Sequence, residues 1–194
     1  MGKRLWIVIG SVLLTAASTG ASAQVKSGDA RQPAAGQQSS SSALSAADRT
    51  FLTQTAENGE AEIHLGKLAQ SKGMDAQVKA FGARMQADHG KAGAELRNLA
   101  GQKGVALPKD PGPHAAMQSK FEKLEGAAFD RAYMTAMVED HTKAVKSFET
   151  AANSADADVK AFATKTLPTI REHLSMAQAT QKALGASKPS SSQK

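Results

Sequence analysis

Six residues carry most of the chemistry this chain offers: Glu62, Asp88, His89, Asp140, His141 and His173. At about 100° per residue on an α-helix, each falls on or beside the arc that its own segment fills with apolar side chains. Glu62 lies between Ile63, Gly59 and Gly66 on one side and Phe51 and Ala69 on the other, whereas Glu57, Glu60 and His64 fall on the outer face. His89 sits among Val78, Met85 and Leu96, with Asp88 at the flank. Asp140 and His141 share an arc with Phe129, Tyr133, Ala144 and Phe148. His173 stands beside Thr166, Ile170 and Ala177, with Glu172 near the edge. Carboxylates and imidazoles buried alone would cost several kcal/mol, so they must pair or bind something.

Two outcomes satisfy that demand. One is a closed network of Glu62 and Asp140 with the histidines that serves only to fix the packing. The other is a transition-metal site for iron, zinc, manganese or copper, because imidazole and carboxylate from facing helices are the ligands helical bundles use for such ions. Met85 and Met137 each precede a histidine by four residues, and Met176 follows His173 by three. Thioether with imidazole suits copper, although methionine at helical spacing is ordinarily core filling. The chain has no cysteine, which removes disulfides, thiolate metal sites, cysteine nucleophiles and a lipid-bearing N-terminal cysteine. It also lacks a glycine-rich phosphate loop, a nucleophile elbow and paired metalloprotease histidines, so no catalytic residue is assigned.

Four long helices must position these groups. From Ser45 onward the composition turns to Ala, Lys, Glu, Gln and Leu, with apolar residues three and four apart. The spacing predicts helices over about 46–72, 75–102, 127–154 and 157–184, with a short one over about 114–125. Ser45 is the expected N-cap of the first, and Asp48 lies in its first turn. Pro108, Pro111 and Pro113 break the chain after the second, and Pro168 should kink the last. The inward polar groups all fall near mid-helix, within roughly one turn of a common level. That depth is the same whether the second and third long helices run parallel or antiparallel.

The halves echo each other. Gln77-Val-Lys-Ala-Phe81 resembles Asp158-Val-Lys-Ala-Phe162, and the eleven-residue interval from Phe51 to Glu62 recurs from Phe129 to Asp140. Short loops make each half an antiparallel hairpin, and two hairpins burying their apolar faces make an all-α four-helix bundle.

The ends have other roles. Lys3-Arg4, an apolar run from Leu5 to Ala17, and Ala21-Ser-Ala23 follow the order of an export signal cleaved after Ala23, and the run is short of the roughly 20 residues a membrane span needs. The expected organisation is a signal at 1–23, a disordered linker at 24–44, the helical domain at 45–185 and a disordered tail at 186–194. Export points to the periplasm. The net charge of +6 falls by two when Lys3 and Arg4 leave with the signal. With basic residues spread among acidic ones, nucleic-acid binding has little support; weak association with an anionic membrane or envelope surface and homo-oligomer formation stay open.

The sequence resembles the bacterial exported proteins grouped as domain of unknown function 4142, which are labelled predicted outer membrane proteins and placed among ferritin-like bundles. The resemblance rests on Phe51-Leu52, Ala61-Glu-Ile-His-Leu-Gly66-Lys-Leu-Ala69, Val78-Lys-Ala-Phe81, Arg84-Met85 with Asp88-His89, Gly104-Val-Ala-Leu-Pro108, Phe129-Asp-Arg-Ala-Tyr133, Met137-Val-Glu-Asp140-His141, Phe162-Ala, Thr166-Leu-Pro168 and His173-Leu. It implies a ferritin-like four-helix fold and no established activity. Ferritin-like di-iron sites use Glu-x-x-His on two helices. Here the residues three before His89 and His173 are Gln86 and Ile170, so neither motif is intact and an oxidising di-iron enzyme is disfavoured. A mononuclear, histidine-rich site or a metal-free network fits better, the latter in a non-catalytic envelope or stress-response protein.

Overall fold

Capping sets where the helices begin. In a computed structural model that describes residues 44–108 and 114–186, Ser45 accepts a hydrogen bond from the Asp48 amide at 3.0 Å and opens α1 (Ala46–Lys72). Asp75 accepts from the amides of Gln77 and Val78 and opens α2 (Ala76–Gln102). Its counterpart in the echo, Asp156, accepts from Asp158 and Val159 and opens α5 (Ala157–Ala186). Between them lie α3 (Ala115–Glu122) and α4 (Gly126–Ala151). The described residues contain five helices and no strand.

The helix ends explain the differences from the expected boundaries. Gly104, at φ +64°, closes α2: the amide of Val105 bonds to Ala100 and that of Gly104 to Gly101, a pairing in which a left-handed glycine satisfies the last carbonyls. At the end of α4 the bonds tighten to Asn153–Thr150 and Ser154–Ala151, so regular helix stops at Ala151 rather than 154 while a turn continues to 154. The short helix also spans less than expected, because it has no side-chain cap and ends in turn bonds at Lys123 and Leu124. Helix α5 runs through Pro168 without a break. Both Pro168 and Thr164, whose carbonyl loses its usual donor, are exposed, so solvent can serve that carbonyl.

Ring contacts and ion pairs fix the helix directions. Phe51, near the start of α1, packs edge-on against Phe148, near the end of α4, and Lys72 at the other end of α1 pairs with Glu125 just before α4. The two are therefore antiparallel. Lys103, just past α2, pairs with Asp156 and Asp158 at the start of α5, so these are antiparallel too. Hence α2 and α4 run in the same direction, and the chain between them must travel the length of the molecule. It carries α3 along α1, with His114 against Asn58 and Glu122 3.5 Å from His64. Each long helix packs on two others, in the order α1, α2, α5, α4 and back to α1.

The core is divided in two. One cluster holds Phe51, Leu52, Leu96, Leu99, Phe148, Val159 and Phe162, joined by Leu44, which the sequence reading leaves in the linker. The other holds Leu65, Val78, Phe81, Met85, Phe129, Tyr133 and Met137. On each long helix the residues between the two clusters include a buried polar side chain: Glu62, His89, His141 or His173.

Candidate metal centre

Each helix delivers its polar group by interrupting the apolar stripe at mid-length, and the helix order brings the four groups together. His141 and His173 have no exposure and His89 has 9 %. The ring centroids of the three histidines stand 5.3 to 5.8 Å apart. One nitrogen from each ring lies within 4.8 Å of the others, a spacing that could hold a metal ion. Phe81 packs edge-on against His141 and His173 from the side of the second core cluster.

Each ring is held through one nitrogen only. His141 Nδ1 donates to the carbonyl of Met137 at 3.0 Å, one turn back on its own helix. His173 Nε2 donates to Asp88 Oδ2 at 2.9 Å. His89 Nδ1 stands 3.2 Å from Glu62 Oε2, and Glu62 Oε1 lies 3.5 Å from His141 Nδ1. The other nitrogens, His89 Nε2, His141 Nε2 and His173 Nδ1, are buried without a hydrogen-bond partner. A buried polar atom left bare is costly, and imidazole nitrogens on three rings this close are donors a transition metal takes.

The electrostatics keep these nitrogens available. Burial pushes His89 down to about 4 and lowers His141 and His173 as well, so all three are neutral at neutral pH. Burial also raises Glu62 to about 7, against the opposing pull of His141 and with added push from Asp140. Asp88 goes the other way. Burial raises it, but hydrogen bonds from Arg84 and His173 outweigh that and hold it below its ordinary value. Arg84 clasps Asp88 from one turn away and reaches Glu172 of α5 at 3.2 Å.

Of the six residues singled out from the sequence, the three histidines supply the clustered nitrogens. Glu62 and Asp88 hold the rings in place instead of joining that cluster. Asp140 stands apart, half-buried, with Lys143 3.8 Å away. It lies about 100° round the helix from His141, so only one of the two can face the centre squarely. Met85 and Met137 belong to the second core cluster, and Met176 packs against it. Three contributors have no part in the sequence reading of the site: Arg84, the Met137 carbonyl and Phe81. A basic residue one turn before an inward Asp is a signal that could have exposed Arg84; a carbonyl carries none.

These features define an all-helical protein with a buried three-histidine centre braced by two carboxylates. Residues 33–180 match the family model described as domain of unknown function (DUF4142), and the chain belongs to that family. It is similar to the crystal structure of a DUF305 fragment from Deinococcus radiodurans, at 14 % identity over 75 % of this chain and 99 % of that one, with a TM-score of 0.62. At that identity the likeness speaks for the fold alone. No curated protein gives a significant match. Among the described residues no helix is long and apolar enough to cross a membrane; the expected signal and the linker up to residue 43 lie outside them.

Proposed function

We propose that this chain is an exported periplasmic protein with a ferritin-like four-helix-bundle fold, and that it binds one transition-metal ion through His89, His141 and His173. The observation that carries the reading is the division of labour on each ring: one nitrogen engaged by an oriented partner, the other bare and buried. Metal-binding histidines are oriented in this way, with the second nitrogen donating to a carboxylate or a carbonyl. Glu62 and Asp88 serve as those orienting groups and supply negative charge around the cation. The single long crossover between α2 and α4 supports the bundle assignment, since ferritin-like folds join their two hairpins by one such connection. The basic balance of the chain supports weak adhesion to an anionic envelope surface.

The identity of the ion follows from ligand type only as far as a borderline metal such as zinc, copper, iron or nickel. The competing reading is a metal-free network that fixes the packing in a non-catalytic envelope or stress-response protein. It is favoured by the pairing of Glu62 with His89 and of Asp88 with His173, but it leaves three nitrogens unserved. Elemental analysis of the protein purified after export separates the two. Stoichiometric metal that is lost in the His89→Ala, His141→Ala double variant supports the centre; trace metal unchanged by that variant discards it.

A further inference from the structure

The histidine centre is closed to solvent, so an ion can reach it only where a side chain gives way. His141 and His173 have no exposure, and the unpartnered nitrogens of all three rings are buried. Two sides of the centre come near the surface. On one, Asp88 is 26 % exposed, but it is bonded to His173 and clasped by Arg84, which also holds Glu172. Opening that side breaks a chain of charge-assisted bonds. On the other side, Glu62 and His89 form part of the wall of a cavity of about 630 Å³. Glu62 has imidazole nitrogens as neighbours and, among the described residues, no lysine or arginine paired with it.

The wall of that cavity carries Glu57, Glu60, Glu62 and Asp140 against Arg97 and Lys143. Arg97 lies 3.2 Å from Glu60 and Lys143 lies 3.8 Å from Asp140, so both cations are matched and two carboxylates remain in excess. His114, also in the wall, is held by Asn58 at 2.7 Å. Surplus negative charge between apolar walls such as Leu96, Phe148 and Ile170 concentrates cations.

Glu62 joins the two spaces. Its side chain lines the cavity, while its oxygens stand 3.2 Å from His89 Nδ1 and 3.5 Å from His141 Nδ1. It also has room to move. A helical side chain leans over the turn that precedes it, and one turn before Glu62 stands Gly59, where a Cβ would meet nothing within 4 Å.

We infer that a divalent transition-metal ion enters through this acidic cavity and that Glu62 passes it from the cavity to the histidines. The inference rests on the three-histidine reading for the ion's destination. Glu62 swings over Gly59, takes the ion by a carboxylate oxygen and returns to the rings. Imidazole suits zinc, copper, iron or nickel better than carboxylate oxygen does, so the transfer runs inward.

The test follows uptake of cobalt(II) by the metal-free protein purified after export, read from the growth of the visible cobalt bands. Gly59→Phe fills the space over which Glu62 swings, and Ala144→Phe narrows the cavity from α4. Each should slow uptake by about tenfold and slow release to a chelator by the same factor, leaving affinity unchanged, since a route acts on both directions alike. Glu57→Gln and Glu60→Gln, the second of which also frees the Arg97 charge, should each slow uptake at low ionic strength, and the difference should close as salt screens the cavity. Neither of these two changes a buried side chain, so they carry the test if a filled variant does not fold. Uptake at the native rate in the filled variants, or in both charge variants at low salt, overturns the route while leaving the centre intact. Slower uptake by the filled variants with release unchanged overturns it too, because the centre itself is then weakened. A protein that takes up no stoichiometric cobalt discards the centre and the route with it.

Discussion

Asp88 of α2 and His173 of α5 are joined by a 2.9 Å hydrogen bond across 85 residues of sequence. Asp88 is in turn clasped by Arg84. The carboxylate thus stays charged and accepting, which pins the proton on His173 Nε2 and leaves Nδ1 bare. In Asp88→Asn the amide can present either its oxygen or its NH2 group to the ring, and Arg84 loses its charge partner. Metal affinity should fall by about 10- to 100-fold, the usual loss when a group that orients a ligand is altered. Competition against a chromophoric chelator measures it, and an unchanged affinity would show that the Asp88 contact is incidental to metal binding.

A second expectation concerns pH. The Glu62 carboxyl is raised from 4.5 to about 7, so its contribution to stability is complete below 4.5 and is lost as pH climbs through about 7. His89 is depressed from 6.5 to about 4, so its contribution is present above 6.5 and is lost as pH falls through about 4. Between these values the two oppose each other. With His141 and His173 also lowered by burial, Glu62 offsets only part of the histidines' effect, so the metal-free native protein should gain stability with pH from 4.5 to 6.5 less steeply than a protein without that carboxyl. Glu62→Gln removes one side of the balance, and stability should then rise with pH by up to about 1.4 kcal/mol per unit for each proton released. Urea titrations at several pH values give the slope; a variant no steeper than the native chain would contradict the assignment.

Close helix contact makes a third. A Cβ on Gly66 would stand 2.6 Å from the Gly82 carbonyl oxygen, and one on Gly82 would stand 2.6 Å from the Ala69 Cβ and 2.7 Å from the Gly66 oxygen. Backbone cannot yield there without moving α1 off α2. Gly66→Ala and Gly82→Ala should each cost about 1–3 kcal/mol. Gly90→Ala, on a helix position with open space around it, should instead stabilise by up to about 1 kcal/mol through helix propensity. Chemical denaturation of the three variants tests the contrast, and a neutral Gly66→Ala would refute the close approach.

Asp130 supplies the fourth. Only 2 % exposed, it reaches from α4 to accept hydrogen bonds from the amides of Met74 at 3.1 Å and Asp75 at 2.8 Å, in the turn joining α1 to α2. Asp130→Ala should leave both amides without their acceptor and cost about 1–3 kcal/mol. Faster amide exchange at Met74 and Asp75 would locate the loss; exchange as slow as in the native protein would show that another group replaces the carboxylate.

The helices were legible because periodicity and capping act locally. The boundaries of α1 and α2 agree with the spacing to within one residue, and Asp75 and Asp156 extend the internal echo into matched caps. The gathering of His89, His141 and His173 was legible for the same reason, since each interrupts an apolar stripe at mid-helix. The roles of the carboxylates were not. A helical wheel says which way a side chain faces and nothing of what it meets, so it leaves Glu62 and Asp88 open between metal ligands and partners of the imidazole rings, against which the fold sets them. Asp140 was drawn in by the arc it shares with His141 and by the echo with Glu62. The repeat holds at the caps and fails at the centre, where His141 on the next position takes the inward place. The shared direction of α2 and α4 was invisible in depth alone and is decided by the ion pairs at Lys72 and Lys103.

The split core has a consequence for how the molecule opens. Apolar burial on one side of the histidines is continuous within that half but is interrupted by polar groups before it reaches the other. The two halves are coupled through the continuous helical backbones and the polar layer. An ion held by three helices at that layer would bind only when both halves are closed, so occupancy should slow amide exchange on both sides of the layer together.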